Sequence, residues 1–256
     1  VEKLLDRTFN SDPKRALTIA RYMNEHCLKQ RFQMEVVAET LSPELLNFFT
    51  HEADPKRFRL EIGVQSFCEK TLNSVGRQQN NKRLKEVIWQ LQRAHITLHV
   101  DLIAGLPYED KVSFEQSFNS LFAFRCDELQ LGILKLLKGT ELRKEKERYG
   151  FVSQELPPYA IQKTNWLNEQ ELLALTKSAA AVEKYWNSGR CCYTIRELLD
   201  GGYGNSAYAL FEALGEEYAK LSHPYAIQQL FQSFVQAIVT HPQVICVDKR
   251  LLIAML

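Results

Sequence analysis

No stretch of this chain approaches the roughly 18 consecutive apolar residues that a membrane-spanning helix needs, which excludes a helical membrane protein over the sequence at hand. Charge of one sign is lacking too. Lys and Arg number 32 against 31 Asp and Glu, and the net charge of +1 gives no broad attraction for a polyanion. Cysteine is sparse and scattered: Cys27, Cys68, Cys126, Cys191, Cys192 and Cys246 fit no structural zinc spacing. Adjacent Cys191 and Cys192 make a poor disulfide pair. The six read as reduced thiols packed as small hydrophobes, as expected of a cytoplasmic protein. Internal repeats and low-complexity tracts are also missing. What remains is ordinary globular material, 256 residues that are 45% apolar and 25% charged, enough for one large or two ordinary domains.

The pattern within it is more telling. In Leu60-Glu-Ile-Gly-Val-Gln65 the apolar residues Leu60, Ile62 and Val64 alternate with Glu61, Gly63 and Gln65, which is the strand period. Gln33–Val37, Thr97–Ile103 and Glu128–Leu134 repeat it, setting Met34, Val100 and Leu131 opposite Glu35, Asp101 and Gln130. A shorter strand is expected at Lys3–Asp6. Between the strands run helical patterns over Pro13–Leu28, from Ser42 through Phe49, over Lys82–Ala94, Ser113–Phe124 and Glu141–Tyr149. Alternating strand and helix implies a parallel sheet with right-handed crossovers. A polar inner face implies a site rather than a packed plug. The fold class is therefore α/β, a partial parallel barrel of about five of six βα units over residues 1–157. Beyond Pro157-Pro158 the patterns are helical only, at Glu169–Asn187, Arg190–Leu199, Ser206–Ala219 and Tyr225–Thr240, which predicts a helical C-terminal domain over 158–256. Because the chain opens at Val1 almost directly into a strand, the sequence reads as a piece of a longer protein with at least one barrel strand upstream.

Several segments follow one another in a telling order. They are Glu61-Ile-Gly-Val-Gln-Ser-Phe67, Leu72, Arg77, Val100-Asp-Leu-Ile-Ala-Gly-Leu-Pro107, Leu129-Gln-Leu131 and Lys138-Gly-Thr140. Together they resemble the core of a radical S-adenosylmethionine enzyme. The nearest groups are those of oxygen-independent coproporphyrinogen III oxidase, the methylthiotransferases and the cobalamin-dependent enzymes. The resemblance covers residues 1–150 and implies a barrel that binds S-adenosylmethionine. It places Glu35 near the methionine end of the ligand and Gln65 at the ribose or methionyl group. Arg77 falls on the methionyl carboxylate and Asp101 on the ribose hydroxyls. Ser66 and Ile103 join the site, Gly105 and Pro107 turn the backbone toward a flat base, and Asp6 to Thr8 stand where the amino group is met. A guanidinium fork suits a carboxylate, and a carboxylate accepts two hydroxyl donors, so the chemistry agrees with the roles. The Asp6–Asn10 segment and the helical tail resemble a subgroup with a cobalamin-type domain in front, which makes cobalamin a further cofactor of the parent protein.

One departure stands out. The family holds a 4Fe–4S cluster on CxxxCxxC, and no such spacing occurs here. The expectation is that the triad lies upstream, that the cluster belongs to the full-length parent only, and that this chain has no metal site and does no radical chemistry alone.

Plainer readings stand beside these. Glu35 and Asp101 could be paired structural acids, His99 a satisfied interior histidine, Glu61 a partner of an inner base and Arg77 a helix cap. Lys135 and Lys138 fit a solvated rim, and Tyr185, Trp186, Tyr203, Tyr208 and Phe211 fit a core. At the level of function, the alternative to a radical enzyme is a degenerate barrel serving as a binding module. An aldolase-like lyase lacks an inner-face lysine. The substrate is not legible, and an exposed barrel edge predicts a homodimer.

Overall fold

A computed structural model describes residues 1–200 and 206–241. Strands β1 (Glu2–Lys3), β2 (Phe32–Val36), β3 (Phe58–Gln65), β4 (Thr97–Ala104) and β5 (Glu128–Ile133) form one sheet in chain order, and every neighbouring pair is parallel. This is the half-barrel expected from the alternation. Helices α1 (Pro13–His26), α2 (Pro43–Asn47), α3 (Glu69–Ser74), α4 (Asn81–Arg93) and α5 (Lys111–Phe122) lie between the strands. Their starts follow from local chemistry. The Asp12 carboxylate accepts from the Lys14 and Arg15 amides ahead of α1, Ser42 caps α2, Asn80 caps α4, and Asp110 with Ser113 closes a capping box on α5.

The apolar face of the sheet meets these helices. Met34, Leu60, Val64, Leu98 and Leu102 are fully buried there, and α4 lays Leu84, Val87, Ile88 and Leu91 against them. At the lower end Phe58 packs edge-on to Phe48 and Phe49, the latter two in a π-helical turn, Phe48–Glu52, that continues α2.

Three differences from the sequence reading have physical causes. The first strand covers only Glu2–Lys3 rather than Lys3–Asp6, because the chain leaves β2 after Leu4 and turns so that Asp6 pairs with Arg15. The charged helix expected over Glu141–Tyr149 shrinks to α6 (Glu141–Lys144), since its residues after Lys144 find turn bonds instead. A small hairpin, β6 (Val152–Ser153) and β7 (Ile161–Lys163), spans Pro157-Pro158 before the helices begin.

The C-terminal part is otherwise helical: α7 (Glu169–Ala181) with a π-helical end, Val182–Asn187, then α8 (Cys192–Asp200), α9 (Ala207–Tyr218) and α10 (Ile227–Thr240). Tyr185, Trp186, Tyr208 and Phe211 form its core, as the helical spacing predicted, while Tyr203 lies outside the described residues. This part closes one edge of the sheet. The Asn187 side chain accepts from the Leu129 amide and donates to the Leu129 carbonyl, both at 3.0 Å, as a neighbouring strand would. Further up, Leu136 donates to Tyr159, and Ile161 donates to Leu134.

Candidate functional site

The polar face of the sheet is read best in rows, because parallel register puts partners side by side. One row holds Glu35, Glu61, His99 and Glu128. The next holds Gly63, Asp101 and Gln130. The lower part is closed by its own pairs. Glu61 accepts from Lys3 Nζ at 3.0 Å and from Gln33 Nε2 at 2.9 Å. Burial works against its charge, but those hydrogen bonds and the Lys3 charge outweigh it and hold the carboxyl below its usual range. Arg59 forks onto Glu128 and also donates to His99 Nδ1 at 3.0 Å. His99 Nδ1 also lies 3.1 Å from Glu128 Oε2, and its Nε2 lies 3.1 Å from Gln130 Oε1, so both ring nitrogens have partners on this face. Arg31 bonds Thr97. His99 and Glu61 are thus satisfied interior groups, as their plainer readings had it.

The upper part is different. Between Gly63 and Gln65 strand β3 bulges, so that Gln65 stands opposite Leu102 and takes a left-handed backbone with φ of 68°. A non-glycine residue in that region costs on the order of 1–3 kcal/mol and points to a constraint from its surroundings. The bulge turns the Gln65 amide onto Asp101, where Nε2 donates to Oδ2 at 3.0 Å. Arg77 arrives from the turn after α3. Its Nη2 donates to the Gly63 carbonyl, and its Nε donates to Gln79 Oε1 at 2.9 Å. A β-carbon on Gly63 would stand 3.0 Å from Gln65 Nε2, 3.5 Å from Asp101 Oδ1 and 3.9 Å from Arg77 Nη1. Gly63 is therefore the bare patch on which three of the expected side chains converge. Among the described residues, Asp101 Oδ1 and Arg77 Nη1 have no hydrogen-bond partner, so each has capacity for a ligand. Burial pushes the Asp101 carboxyl up to about 6; the charges of His99 and Arg77 oppose it, and Glu61 and Glu35 add to it.

The other expected residues are placed as follows. Glu35 is exposed on the same face, beside Glu61, and has no hydrogen bond among the described residues. Ile103 lies on that face next to Gly132. Ser66 is turned inward and fully buried, its hydroxyl donating to Glu109. Gly105 has φ of +90°, but a β-carbon there would fall 2.0 Å from Ile161 Cδ1, so β7 fills that side, which the sequence reading left free for a flat base. Asp6 is spent on Arg15 at 3.1 Å, and Thr8 donates to its neighbour, the Arg7 carbonyl. Among the described residues neither shares a hydrogen bond with Gln65, Asp101 or Arg77.

Sequence reasoning missed Gln79, which fixes both Arg77 and the Ser66 carbonyl (3.1 Å), and buried Asn10, which bonds the Val37 amide and carbonyl. It also missed Glu109. None of the three lies on a strand, where alternation marks the facing side.

The donor set fits S-adenosylmethionine. Asp101 and the Arg77 guanidinium meet at Gly63, with Glu35 on the same face, which matches a ligand carrying a sulfonium, an ammonium and one carboxylate, and Asp101 with Gln65 suits vicinal hydroxyls. The set does not fit an iron–sulfur cluster. Among the described residues no three His, Cys, Asp or Glu side chains could hold a metal ion. Burial pushes the Cys126 and Cys191 thiols up to about 12, away from the thiolate form that ligation needs.

Residues 147–239 match a family described as "Protein of unknown function (DUF4080)". A 74-residue stretch, 28% of the chain, is 28% identical to coproporphyrinogen III oxidase, anaerobic 1, of Cereibacter sphaeroides and covers 16% of that protein. Among solved structures, the radical S-adenosylmethionine methyltransferase TsrM of Kitasatospora setae, bound to cobalamin and a [4Fe-4S] cluster, superposes with a TM-score of 0.53. The sequence identity there is 10%, over 94% of this chain and 53% of TsrM. Coproporphyrinogen III oxidase of Escherichia coli gives a TM-score of 0.44 at 18% identity, over 73% of this chain and 38% of that one. The chain thus spans about half or less of the length of these relatives. What these likenesses bear out is the fold: the expected half-barrel followed by helices superposes on the radical S-adenosylmethionine methyltransferase TsrM.

Proposed function

We propose that the upper half of the concave face binds S-adenosylmethionine. Arg77 takes the methionyl carboxylate, Asp101 and Gln65 the ribose hydroxyls, and Glu35 the cationic methionine end. The observation that carries this reading is the convergence of Gln65, Asp101 and Arg77 on the bare Gly63, with Asp101 Oδ1 and Arg77 Nη1 unpaired. Bound there, S-adenosylmethionine supplies carbon centres activated by a sulfonium. The chain's own contribution is to bind and orient. The self-paired lower rows set the depth of the site, since breaking the Arg59–Glu128 pair to admit a ligand would strand a half-buried charge.

In this reading residues 1–157 are the ligand-binding half of a radical enzyme working in the cytoplasm. The part from 158 onward bears on the choice of a substrate that the site does not identify. Among the described residues no set of thiols fits a 4Fe–4S cluster, so in this reading cluster ligands, and any cobalamin, are supplied from elsewhere in the parent protein. The same lack of ligands favours the second reading, a degenerate non-catalytic barrel that serves interactions and takes up no S-adenosylmethionine, and titration separates the two.

Isothermal titration with S-adenosylmethionine should give saturable one-to-one binding that Arg77→Ala and Asp101→Asn each weaken about tenfold, the loss of one charged hydrogen bond. Absence of binding, or binding indifferent to both substitutions, rejects the proposal. Anaerobic treatment with iron and sulfide should leave the chain without iron–sulfur absorption, and a stable four-iron chromophore would show that the ligand argument is wrong.

A further inference from the structure

The left-handed backbone at Gln65 must be held by something, because the conformation is costly for a residue with a β-carbon. On the ligand face the Gln65 side chain bonds, among the described residues, Asp101, itself a side chain. Behind the turn, however, lies Glu109, which is fully buried although it belongs to the loop after β4. Its Oε1 accepts from the Ser66 hydroxyl and, at 3.5 Å, from the Ser117 hydroxyl of α5. Those two hydroxyls in turn accept from the backbone of the turn. The Cys68 amide donates to Ser66 Oγ at 2.9 Å, and the Phe67 amide donates to Ser117 Oγ at 3.1 Å. The Ser66 carbonyl accepts from Gln79, the residue that also fixes Arg77.

We infer that Glu109 is a positioning residue for the ligand site, its buried carboxyl anchoring the 65–68 turn from behind and so aiming Gln65 at Asp101. This rests on the reading of that site as an S-adenosylmethionine site.

A plain core residue would serve packing better. Burying a carboxyl costs several kcal/mol if it is charged, and Glu109 Oε2 has no hydrogen-bond partner among the described residues. Burial pushes its carboxyl up to about 7, the hydrogen bonds from Ser66 and Ser117 opposing. What a carboxyl offers here and a leucine does not is one acceptor that two hydroxyls can share, each of which also receives a backbone amide. A glutamine keeps such an acceptor, since its carbonyl oxygen can take the place of Oε1.

The test compares Glu109→Gln, Glu109→Leu and Ser66→Ala in the full chain by hydrogen exchange and by titration with S-adenosylmethionine. The Phe67 and Cys68 amides should exchange at least about tenfold faster in Glu109→Leu and Ser66→Ala, while the remote Leu98 amide, bonded to Asp127, keeps its rate. Affinity should fall about tenfold in both, and Glu109→Gln should stay within about threefold of the parent in exchange and in affinity. Unchanged exchange at Phe67 and Cys68 in both disrupting variants overturns the inference. So does a Glu109→Gln chain as impaired as Glu109→Leu, because the shared acceptor would then not be what matters. If Glu109→Leu does not fold, the Phe67 amide in Ser66→Ala decides, because its own acceptor, Ser117 Oγ, is untouched there. If the parent chain binds no S-adenosylmethionine, the proposed site falls, and the exchange rates still decide whether Glu109 anchors the turn.

Discussion

Asp101 is asked to do two things that conflict. It lies largely out of water beside Gln65, which favours the neutral acid, yet ribose hydroxyls are best accepted by the carboxylate. With its acidity shifted from 3.8 in the unfolded chain to about 6 in the fold, the native state holds a proton that the unfolded state has lost between those values. Raising the pH through that window therefore destabilises the fold, by on the order of 2–3 kcal/mol once both ends are passed. Asp101→Asn has no proton to lose there, so its stability relative to the parent should grow between pH 4 and pH 7 in urea unfolding. A flat difference would mean that the burial is not felt. Ligand affinity should move the other way and rise as the pH passes 6. Asp101, Gln65 and Glu35 were legible in the sequence because strand alternation marks the side a residue faces. Arg77 was legible only through the family resemblance. Glu109 and Gln79 lie in loops, where neighbours along the chain do not reveal neighbours in space. The inward turn of Ser66 depends on a bulge that shifts the facing of residues by one.

At the scale of elements, the long strands and the amphipathic helices followed from periodicity, since each buries one face. The short α3 and the β6–β7 hairpin did not. Six residues or fewer carry too little periodic signal, and the hairpin is held by a partner remote in sequence, Gly105. The consequence at Gly105 shows this: the sequence marked it for close backbone approach, and the approach is made by Ile161 of the hairpin. A second close approach holds the helical part together. Helix α9 crosses α7 at Gly215, where a β-carbon would stand 2.6 Å from the Lys177 carbonyl and 2.8 Å from the Ser178 amide nitrogen. Those are backbone atoms and cannot swing aside. Gly215→Ala gains helix propensity but forces the two helices apart, and overpacking of this kind costs about 1–3 kcal/mol. Its thermal midpoint should fall. A rise would mean that the helices have room to part without loss.

For the whole molecule the sheet's two edges differ. At β5 the C-terminal part supplies Asn187 against Leu129 and the Tyr159–Ile161 segment against Leu134 and Leu136, so that edge is shielded. At β1 the described residues show no such cover. Lys3 pairs its side chain with Glu61, while Val1 and Leu5 are 77% and 91% exposed. The apolar C-terminal stretches at 244–247 and 251–256 lie outside the described residues. A parallel edge with free backbone groups is a template for pairing, and two copies meeting edge to edge about a two-fold axis satisfy each other with one surface. The chain is therefore expected to self-associate through β1. Light scattering during size exclusion should show a species near twice the 29.7 kDa of the chain at high concentration. Leu5→Lys places a charge on the edge at a residue that packs against little, so it should return the chain to a monomer without lowering the unfolding midpoint. Removal of residues 244–256 should leave the dimer intact. A dimer that survives Leu5→Lys but not that truncation would assign the contact to the C-terminal run, and a parent chain that stays monomeric at high concentration would mean the β1 edge is covered or solvated within one copy.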